Sequence, residues 1–200
     1  MRRIRAGALA AILGGLPASG CAVVGGGSAP LDTYELSAPS ADGSGPRRAR
    51  MQVLVAEPTA LKAFDGENIV VKTGPGTIAF LKGAQWADRL PKVVQARLAE
   101  TLQNSGRFGG VGRPGEGLAI DYQVVTEIRA FEIRASGQES AHVAIHARLL
   151  NDRNGVVRAQ KVFEASAPVS GSGNDAYLAG LDRAFGEVAA DIAAWTASQI

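Results

Sequence analysis

The hydrophobic positions that follow Arg50 have first a strand period and then a helix period. Short runs rich in Val, Ile and Leu predict strands at residues 51–56, 68–72 and 78–81. Apolar residues then recur at every third or fourth position, which predicts a helix with a stripe at Trp86, Leu90, Val93, Val94, Leu98 and Leu102. Pro91 lies within this stripe, at a kink or in the first regular turn, and Ser105-Gly106 ends the helix.

The next part of the chain has the regular alternation of β-strands. Residues 118–134 alternate with a change of phase after Ala130, which predicts a β-bulge. Residues 141–149 and 157–167 alternate in the same way, and the turn at 151–155 ends in an Asn-Gly pair that suits a hairpin. Strands joined in series by short turns form an antiparallel meander.

The last segment returns to a helical period and completes the order β-β-β-α-β-β-β-α. Asn174 or Asp175 can cap this helix, whose apolar stripe is Leu178, Leu181, Phe185, Val188, Ile192 and Trp195. Two helices with one apolar face each require one sheet face to cover. We therefore predict a two-layer α/β domain, with a mostly antiparallel or mixed sheet and both helices on one face. Trp86 and Trp195 lie on the helix stripes, and we interpret both as core residues.

The first twenty residues have the composition of an export signal. Arg2, Arg3 and Arg5 precede an apolar run of eleven residues from Ala6 to Leu16, which is too short for a membrane span of about 20 residues. The chain has 21 basic and 19 acidic residues, and removal of this segment with its three arginines leaves 18 basic and 19 acidic ones. The remainder therefore lacks the basic excess that is typical of nucleic-acid binding.

Cys21 is the one cysteine of the chain, and it directly follows Ala18-Ser19-Gly20. This placement resembles the lipobox of bacterial lipoproteins, where the signal is cleaved before the cysteine and its sulfur receives a diacylglyceryl group. We predict a signal peptide at residues 1–20 and lipid attachment at Cys21; the alternative is an ordinary secretory signal followed by an incidental cysteine. Ala22 stands where inner-membrane lipoproteins of Gram-negative bacteria commonly have Asp, which favours the outer membrane.

Residues 21–49 are interpreted as a tether that contains one short strand near 31–37. Three consecutive glycines at 25–27 and several further Gly and Pro residues give this segment a flexible composition. Residues 50–200 are interpreted as a single α/β domain. The predicted organisation is thus an export signal, a tether and one folded domain.

The sequence contains no coherent active site. His142 and His146 lie four residues apart on a predicted strand, which separates them by about 13 Å, too far for one metal ion. We interpret them as exposed strand histidines, and we predict no metal and no cofactor other than the covalent lipid. Gly171-Ser172-Gly173 lacks the context of a nucleophile elbow, and the glycines at 109–112 lack the Lys-Ser/Thr of a phosphate loop.

Several short elements occur in a defined order in the middle of the chain. They are the runs 69–72 (IVVK), 76–80 (GTIAF) and 86–91 (WADRLP), followed by Ser105-Gly106-Arg107-Phe108 and Val111. Tyr34-Glu35-Leu36 precedes them, and the segments 121–123 and 129–132 follow. In this order the elements resemble the auxiliary lipoprotein component of ABC-type transporters.

The resemblance implies a membrane-anchored, non-catalytic component of a lipid or hydrophobic-compound transport system. The implied partners are a periplasmic protein of the mammalian-cell-entry (MCE) type and a complex of an ABC permease with its ATPase. ATP hydrolysis would belong to another subunit, and we expect this chain not to be an enzyme. Its implied role is to dock partner proteins in the periplasm, and self-association is left open.

Four residues are our candidates for partner contacts, namely Phe80 in the segment 74–83, Arg89, Arg107 and Phe108. The alternative for the segment 74–83 and for the loop of Arg107 and Phe108 is packing in the core or in turns, and for Arg89 and Arg107 it is also solvation or salt bridges. Two other functions stay open. One is a periplasmic carrier of a hydrophobic ligand, which predicts a deep apolar pocket, and the other is an envelope-assembly lipoprotein on a similar scaffold.

Overall fold

A computed structural model describes residues 30–40 and 45–200, and this part of the chain contains nine strands and two helices. The helices are α1 (Leu90–Asn104) and α2 (Asn174–Gln199). The strands are β1 (Asp32–Tyr34), β2 (Arg48–Val55), β3 (Thr59–Ala60), β4 (Asn68–Gly74), β5 (Thr77–Trp86), β6 (Phe108–Gly112), β7 (Tyr122–Arg134), β8 (Ser140–Asn151) and β9 (Val157–Pro168). The predicted α/β class with a mixed sheet is confirmed. The predicted signal peptide, Cys21 and the glycine run lie outside the described residues.

Strand β7 organises the whole sheet. One edge of β7 pairs with β8 in antiparallel orientation, and β8 pairs with β9, so the predicted meander is confirmed. The other edge of β7 receives β2, β3 and β4 in succession, all of them parallel to β7. Strand β6 extends the sheet beyond β2, while β5 and then β1 extend it beyond β4. This edge of β7 therefore carries two smaller strand sets, one of β2 and β6 and the other of β4, β5 and β1.

A register shift in β7 decides which side chains enter the core. The shift lies between Ile128 and Ala130, where the change of phase predicted a β-bulge. Val124 and Ile128 before it and Phe131 and Ile133 after it are all buried, although they have opposite parity. The extra residue keeps the apolar side chains on one face of the sheet along the whole strand.

Both helices pack on that face, as predicted. Helix α2 lies against β7, β8 and β9, helix α1 lies against β2 and β6, and the two helices also contact each other. The ring of Phe131 joins the layers, because its centroid is 5.6 Å from that of Trp86 and 6.1 Å from that of Phe185 on α2. Trp195 is half-buried against Phe163, with 5.5 Å between the ring centroids. Neither helix of the described chain combines the length and apolar character that a membrane crossing needs.

The start of α1 differs from the prediction. Trp86 is the last residue of β5, and the helix begins at Leu90, with Pro91 in its first turn. The sequence pattern placed the start of the stripe at Trp86 because this core side chain, at the end of β5, is in phase with the buried face of α1. Trp86 is nevertheless a core residue, as predicted, since it is 1% exposed.

The start of α2 also differs, because its N-cap is Gly173 and not Asn174 or Asp175. The side chains of these two residues make contacts with other elements instead. Asn174 Nδ2 donates to the carbonyl oxygen of Lys82 at 3.1 Å, and Asp175 Oδ1 accepts from the hydroxyl of Tyr34 at 2.7 Å. The hydrogen bond to Asp175 raises the pKa of Tyr34 to about 12.

The segment that we assigned to the tether adds a strand to the sheet. Strand β1 pairs in parallel with β5, and Leu36 just beyond it is buried in the core. Strand β2 begins at Arg48, before the predicted domain boundary at residue 50. The folded unit therefore includes residues on both sides of the short segment 41–44 that the structure leaves undescribed.

We predict that Trp86→Ala lowers the free energy of unfolding by about 3–5 kcal/mol, because it removes a buried ring from the contact with Phe131. Urea unfolding followed by circular dichroism measures the change. The control is Phe80→Ala, which removes an exposed ring and should change the stability by less than about 1 kcal/mol. A Trp86 variant as stable as this control would contradict the packing described here.

A pair of glycine substitutions tests the close approach of β6 to β2. A Cβ at Gly109 would collide with the carbonyl oxygen of Ala49, whereas a Cβ at Gly186 in α2 would meet no atom within 4 Å. Gly109→Ala should therefore destabilise the protein by about 1–3 kcal/mol. Gly186→Ala should stabilise it by about 0.5–1 kcal/mol, because alanine favours a helix interior. Thermal unfolding of both variants checks whether the two changes have opposite signs.

Candidate functional site

The sheet face opposite the helices carries the polar side chains of the central strands. A row of register partners crosses five strands on this face, from Phe80 through Val70, Glu132 and His142 to Ser166. The row is apolar and exposed at Phe80, and it becomes buried and polar towards its centre. We call this side of the sheet the open face.

The exposed end of the row is the β4–β5 hairpin. Gly76 has a positive φ of 71° and allows the tight turn between the strands. Ile78 lies opposite Lys72 and Phe80 lies opposite Val70, so both apolar side chains are on the open face. Ile78 is 46% exposed and Phe80 is 48% exposed. Phe80 thus has the exposure that our partner-contact prediction requires, and its contact stays a prediction.

Arg89 is engaged in the fold and links three parts of the chain. Its Nη1 lies 3.0 Å from Glu57 Oε1, and its Nε donates to Asp65 Oδ1 at 3.1 Å. Glu57 follows β2 and Asp65 precedes β4, so the guanidinium at the start of α1 holds the connection between the two smaller strand sets. The pairing raises the pKa of Arg89 and lowers that of the Asp65 carboxyl. The salt-bridge interpretation of Arg89 accounts for its contacts.

Arg107 and Phe108 also contribute to the fold. Arg107 is 5% exposed, and its carbonyl oxygen accepts from the backbone N–H of Arg48 at 2.5 Å. Its guanidinium lies against the backbone of Gly45, where an added Cβ would be 3.3 Å from Nη1. Phe108 begins β6 opposite Arg48 and packs half-buried against the core. These positions match the packing alternative for the pair, and they leave Phe80 as the most accessible of the four candidates.

The buried polar centre of the open face contains His142. Its Nδ1 is 3.0 Å from Ser166 Oγ, and its Nε2 is 3.4 Å from Glu164 Oε1. Glu132 beside it is also buried and forms ion pairs with Lys72 at 3.7 Å and Arg134 at 3.3 Å. Burial lowers the pKa of His142, and the positive charge of Arg134 lowers it further.

Our prediction that His142 is exposed was wrong, since its residue exposure is only 3%. Strands β7 and β9 flank β8 on both sides, and their side chains cover the imidazole. His146 lies on the same face of β8 and is half-buried, with Nδ1 3.6 Å from Glu127 Oε2. Within residues 30–40 and 45–200, no three His, Cys, Asp or Glu side chains are grouped so that they could hold a metal ion.

A polar groove runs along the outer side of α1. It consists of adjoining cavities of about 380 and 470 Å³ that share Arg97 and Arg113. Arg97 pairs with Glu35 at 2.6 Å and with Glu100 at 2.9 Å, and Arg113 pairs with Glu116 at 3.0 Å. The cations of the groove are therefore largely neutralised by neighbouring acids. The sequence pattern gave no sign of this groove, because its residues come from four separate segments.

The described residues form a two-layer α/β domain with a groove of paired charges beside α1 and exposed apolar side chains on the β4–β5 hairpin. The family model described as "ABC-type transport auxiliary lipoprotein component" matches residues 34–193, which reach from β1 to near the end of α2. The chain belongs to this family. As a lipoprotein family of transport systems, it places the chain in the cell envelope.

One sequence relative and two solved structures are similar to the chain. Protein bll6063 of Bradyrhizobium diazoefficiens is 31% identical over 176 residues, which cover 86% of this chain and 47% of that protein, so the chain spans about half the length of this relative. The crystal structure of XCC0632 from Xanthomonas campestris superposes with a TM-score of 0.79 at 23% identity, covering 84% of this chain and 96% of the other. Hypothetical protein CT253 from Chlamydia trachomatis gives a TM-score of 0.51 at 14% identity, covering 75% and 99%. At these identities the solved structures show the fold alone.

The buried His142 predicts a loss of stability in acid. Its pKa is lower in the folded chain than the value of about 6.5 expected for an unfolded histidine. The unfolded chain therefore binds more protons as the pH falls below about 6.5, and stability present above that pH is lost progressively towards the folded pKa. His142→Asn should flatten this part of the stability profile, while the control His146→Asn should leave the contribution of His142 in place. Urea midpoints between pH 5 and 8 test this, and parallel profiles for wild type and His142→Asn would contradict it.

Proposed function

We propose that this chain is the membrane-anchored, non-catalytic auxiliary component of an MCE-associated transport system for lipids or other hydrophobic compounds. It docks partner proteins in the periplasm, and a lipid on Cys21 holds it at the outer membrane. The observation that carries the proposal is the family match over residues 34–193, in a chain whose lone cysteine follows a segment with the composition of an export signal. ATP hydrolysis belongs to the transporter's ATPase.

The physical basis of this role is confinement. One acyl chain gives only reversible membrane binding, whereas two or more hold a protein stably. Residues 22–29 separate Cys21 from Pro30, where the described chain begins. A fully extended segment of this length spans about 30 Å. The folded domain therefore stays close to the membrane surface, where a periplasmic partner arrives.

The charged groups of the domain favour docking over catalysis. Arg89 and Arg97 are held by two carboxylates each, so they rigidify the scaffold around α1. Such mutually neutralised pairs stabilise a surface without creating a strong local field. A protein partner then recognises the shape of the surface and its hydrogen-bonding groups.

The cavity lining also favours docking over a ligand-carrier function. A carrier of acyl chains needs an enclosed apolar cavity. The groove beside α1 is instead lined largely by charged and polar side chains, including Glu57, Lys92, Gln95, Arg97 and Arg113. An acyl chain placed there would strip water from these groups without replacing their hydrogen bonds.

Crosslinking in the native envelope tests the proposal. The full-length chain should capture an MCE-type protein or the permease–ATPase complex, because lipid attachment holds it beside them. Cys21→Ser should abolish incorporation of labelled palmitate and strongly reduce capture. The matched control is Ser28→Ala, which changes the same segment and leaves Cys21 intact.

Two results would contradict the proposal. One is continued palmitate incorporation by the Cys21→Ser chain, which would place the lipid elsewhere. The other is a lipidated wild-type chain that captures only proteins unrelated to transport, such as an envelope-assembly complex.

A further inference from the structure

We infer that the β4–β5 hairpin contacts the headgroup surface of the membrane that anchors the chain. The contact is made by a hairpin patch, defined as Leu31, Ile78 and Phe80 with the flanking Lys72 and Lys82. This inference rests on the proposed lipid attachment at Cys21, and it adds a defined orientation of the domain relative to the bilayer.

The patch consists of exposed side chains of the β4–β5 hairpin and of the adjoining start of β1. Ile78 and Phe80 are two residues apart on β5 and share its open face, and Lys72 lies opposite Ile78. Lys82 follows Phe80 after a further two residues and is exposed. Leu31 directly precedes β1 at the sheet edge beside β5 and is 49% exposed. Single exposed apolar residues are common, whereas two on one face of a hairpin with a third at the neighbouring sheet edge are candidates for a contact surface.

The direction of β1 brings the tether to this patch. Strand β1 runs parallel to β5, with Asp32 opposite Ala84. Counting back along this register places Leu31 level with Gly83 and Pro30 level with Lys82. Pro30, the first described residue before β1, therefore lies on the side of the hairpin turn and not on the side of Trp86.

The exit point is fixed to the body of the domain. The Tyr34 hydroxyl donates to Asp175 at 2.7 Å, and the backbone N–H of Ser37 donates to Asp182 Oδ1 at 2.7 Å. Both acceptors belong to α2, so β1 is held between the sheet edge and a long helix. The start of β1 thus has a fixed position beside the hairpin, and under our proposal an anchor at Cys21 keeps the hairpin near the membrane.

The short tether makes a weak membrane contact effective. Eight residues link Cys21 to Pro30, and a flexible glycine-rich segment of this size has a mean end-to-end distance of about 15 Å. Confinement at this distance acts as a high effective concentration of membrane surface around the patch. A small patch that would not bind vesicles by itself is then occupied for much of the time.

The chemistry of the patch matches the headgroup region. Aromatic and aliphatic side chains insert at the boundary of the acyl chains, while lysines extend their ammonium groups to the lipid phosphates. Glu132, the acid that lies 3.7 Å from Lys72 Nζ, is itself buried. The groove beside α1 presents opposed charges instead and lacks this combination.

Photocrosslinking of the lipidated full-length chain tests the inference. The chain carries the photoreactive residue p-benzoylphenylalanine in place of Phe80 or, as a matched control, of Val162 on β9. Val162 is 42% exposed and lies on the open face at the opposite edge of the sheet. After reconstitution in vesicles of phosphatidylethanolamine and phosphatidylglycerol, position 80 should give several-fold more lipid adduct than position 162.

A second measurement avoids the unnatural residue. Vesicles that contain a photoreactive phosphatidylethanolamine should label the peptide 73–82 in the wild type. Ile78→Ser with Phe80→Ser should reduce this labelling several-fold, while Val157→Ser with Val162→Ser should leave it unchanged. Equal thermal midpoints for the two double variants show that the difference does not come from unfolding.

The outcomes separate this inference from the proposed function. If mass spectrometry shows acyl chains on Cys21 but position 80 gives no more lipid adduct than position 162, the membrane contact is wrong and the anchored function stands. An adduct of twice the chain mass at position 80 would assign the patch to a second copy and also overturn the inference. A mature chain without acyl groups on Cys21 would overturn the proposed function itself.

Discussion

The whole sheet depends on the pairing of one long strand, β7, and on the single extra residue within it. Because β7 pairs with β8 on one edge and with β2, β3 and β4 in turn on the other, every remaining strand takes its place from it. The register shift between Ile128 and Ala130 lets Phe131 and Ile133 join Val124 in the core. Without that shift the second half of β7 would turn its apolar side chains to water, and α2 would lose the surface on which it packs.

The two smaller strand sets along β7 need connections of their own. Arg89 supplies one, since its ion pairs with Glu57 and Asp65 join the end of β2, the approach to β4 and the start of α1. A consequence is that the two ends of the domain differ in character. The end with the β4–β5 hairpin presents apolar side chains, while the region around the outer side of α1 presents paired charges.

The sequence predicted what local periodicity controls. The meander, the turn at 151–155 and the β-bulge follow from alternation along neighbouring strands, and all three are present. It failed where distant segments meet. Strand β1 joins the sheet beside a strand some fifty residues later in the chain, and His142 is buried by two flanking strands, which a pattern along one strand does not report. Among the candidate contact residues, Arg89 contacts an acid and Arg107 contacts backbone that both lie far away in the sequence. Phe80 is exposed because its side chain lies on the sheet face opposite the helices.

The parallel pairing of β1 with β5 has a mechanical consequence. A force that pulls on Pro30 in the direction away from Trp86 acts along the axis of β1. It therefore loads all hydrogen bonds between β1 and β5 at the same time, in shear. The hydrogen bonds from Tyr34 and Ser37 to α2 resist the same displacement. Bonds arranged in this way share the force, whereas a strand pulled sideways would lose them one at a time. The domain therefore resists tension that is applied through its N-terminal strand.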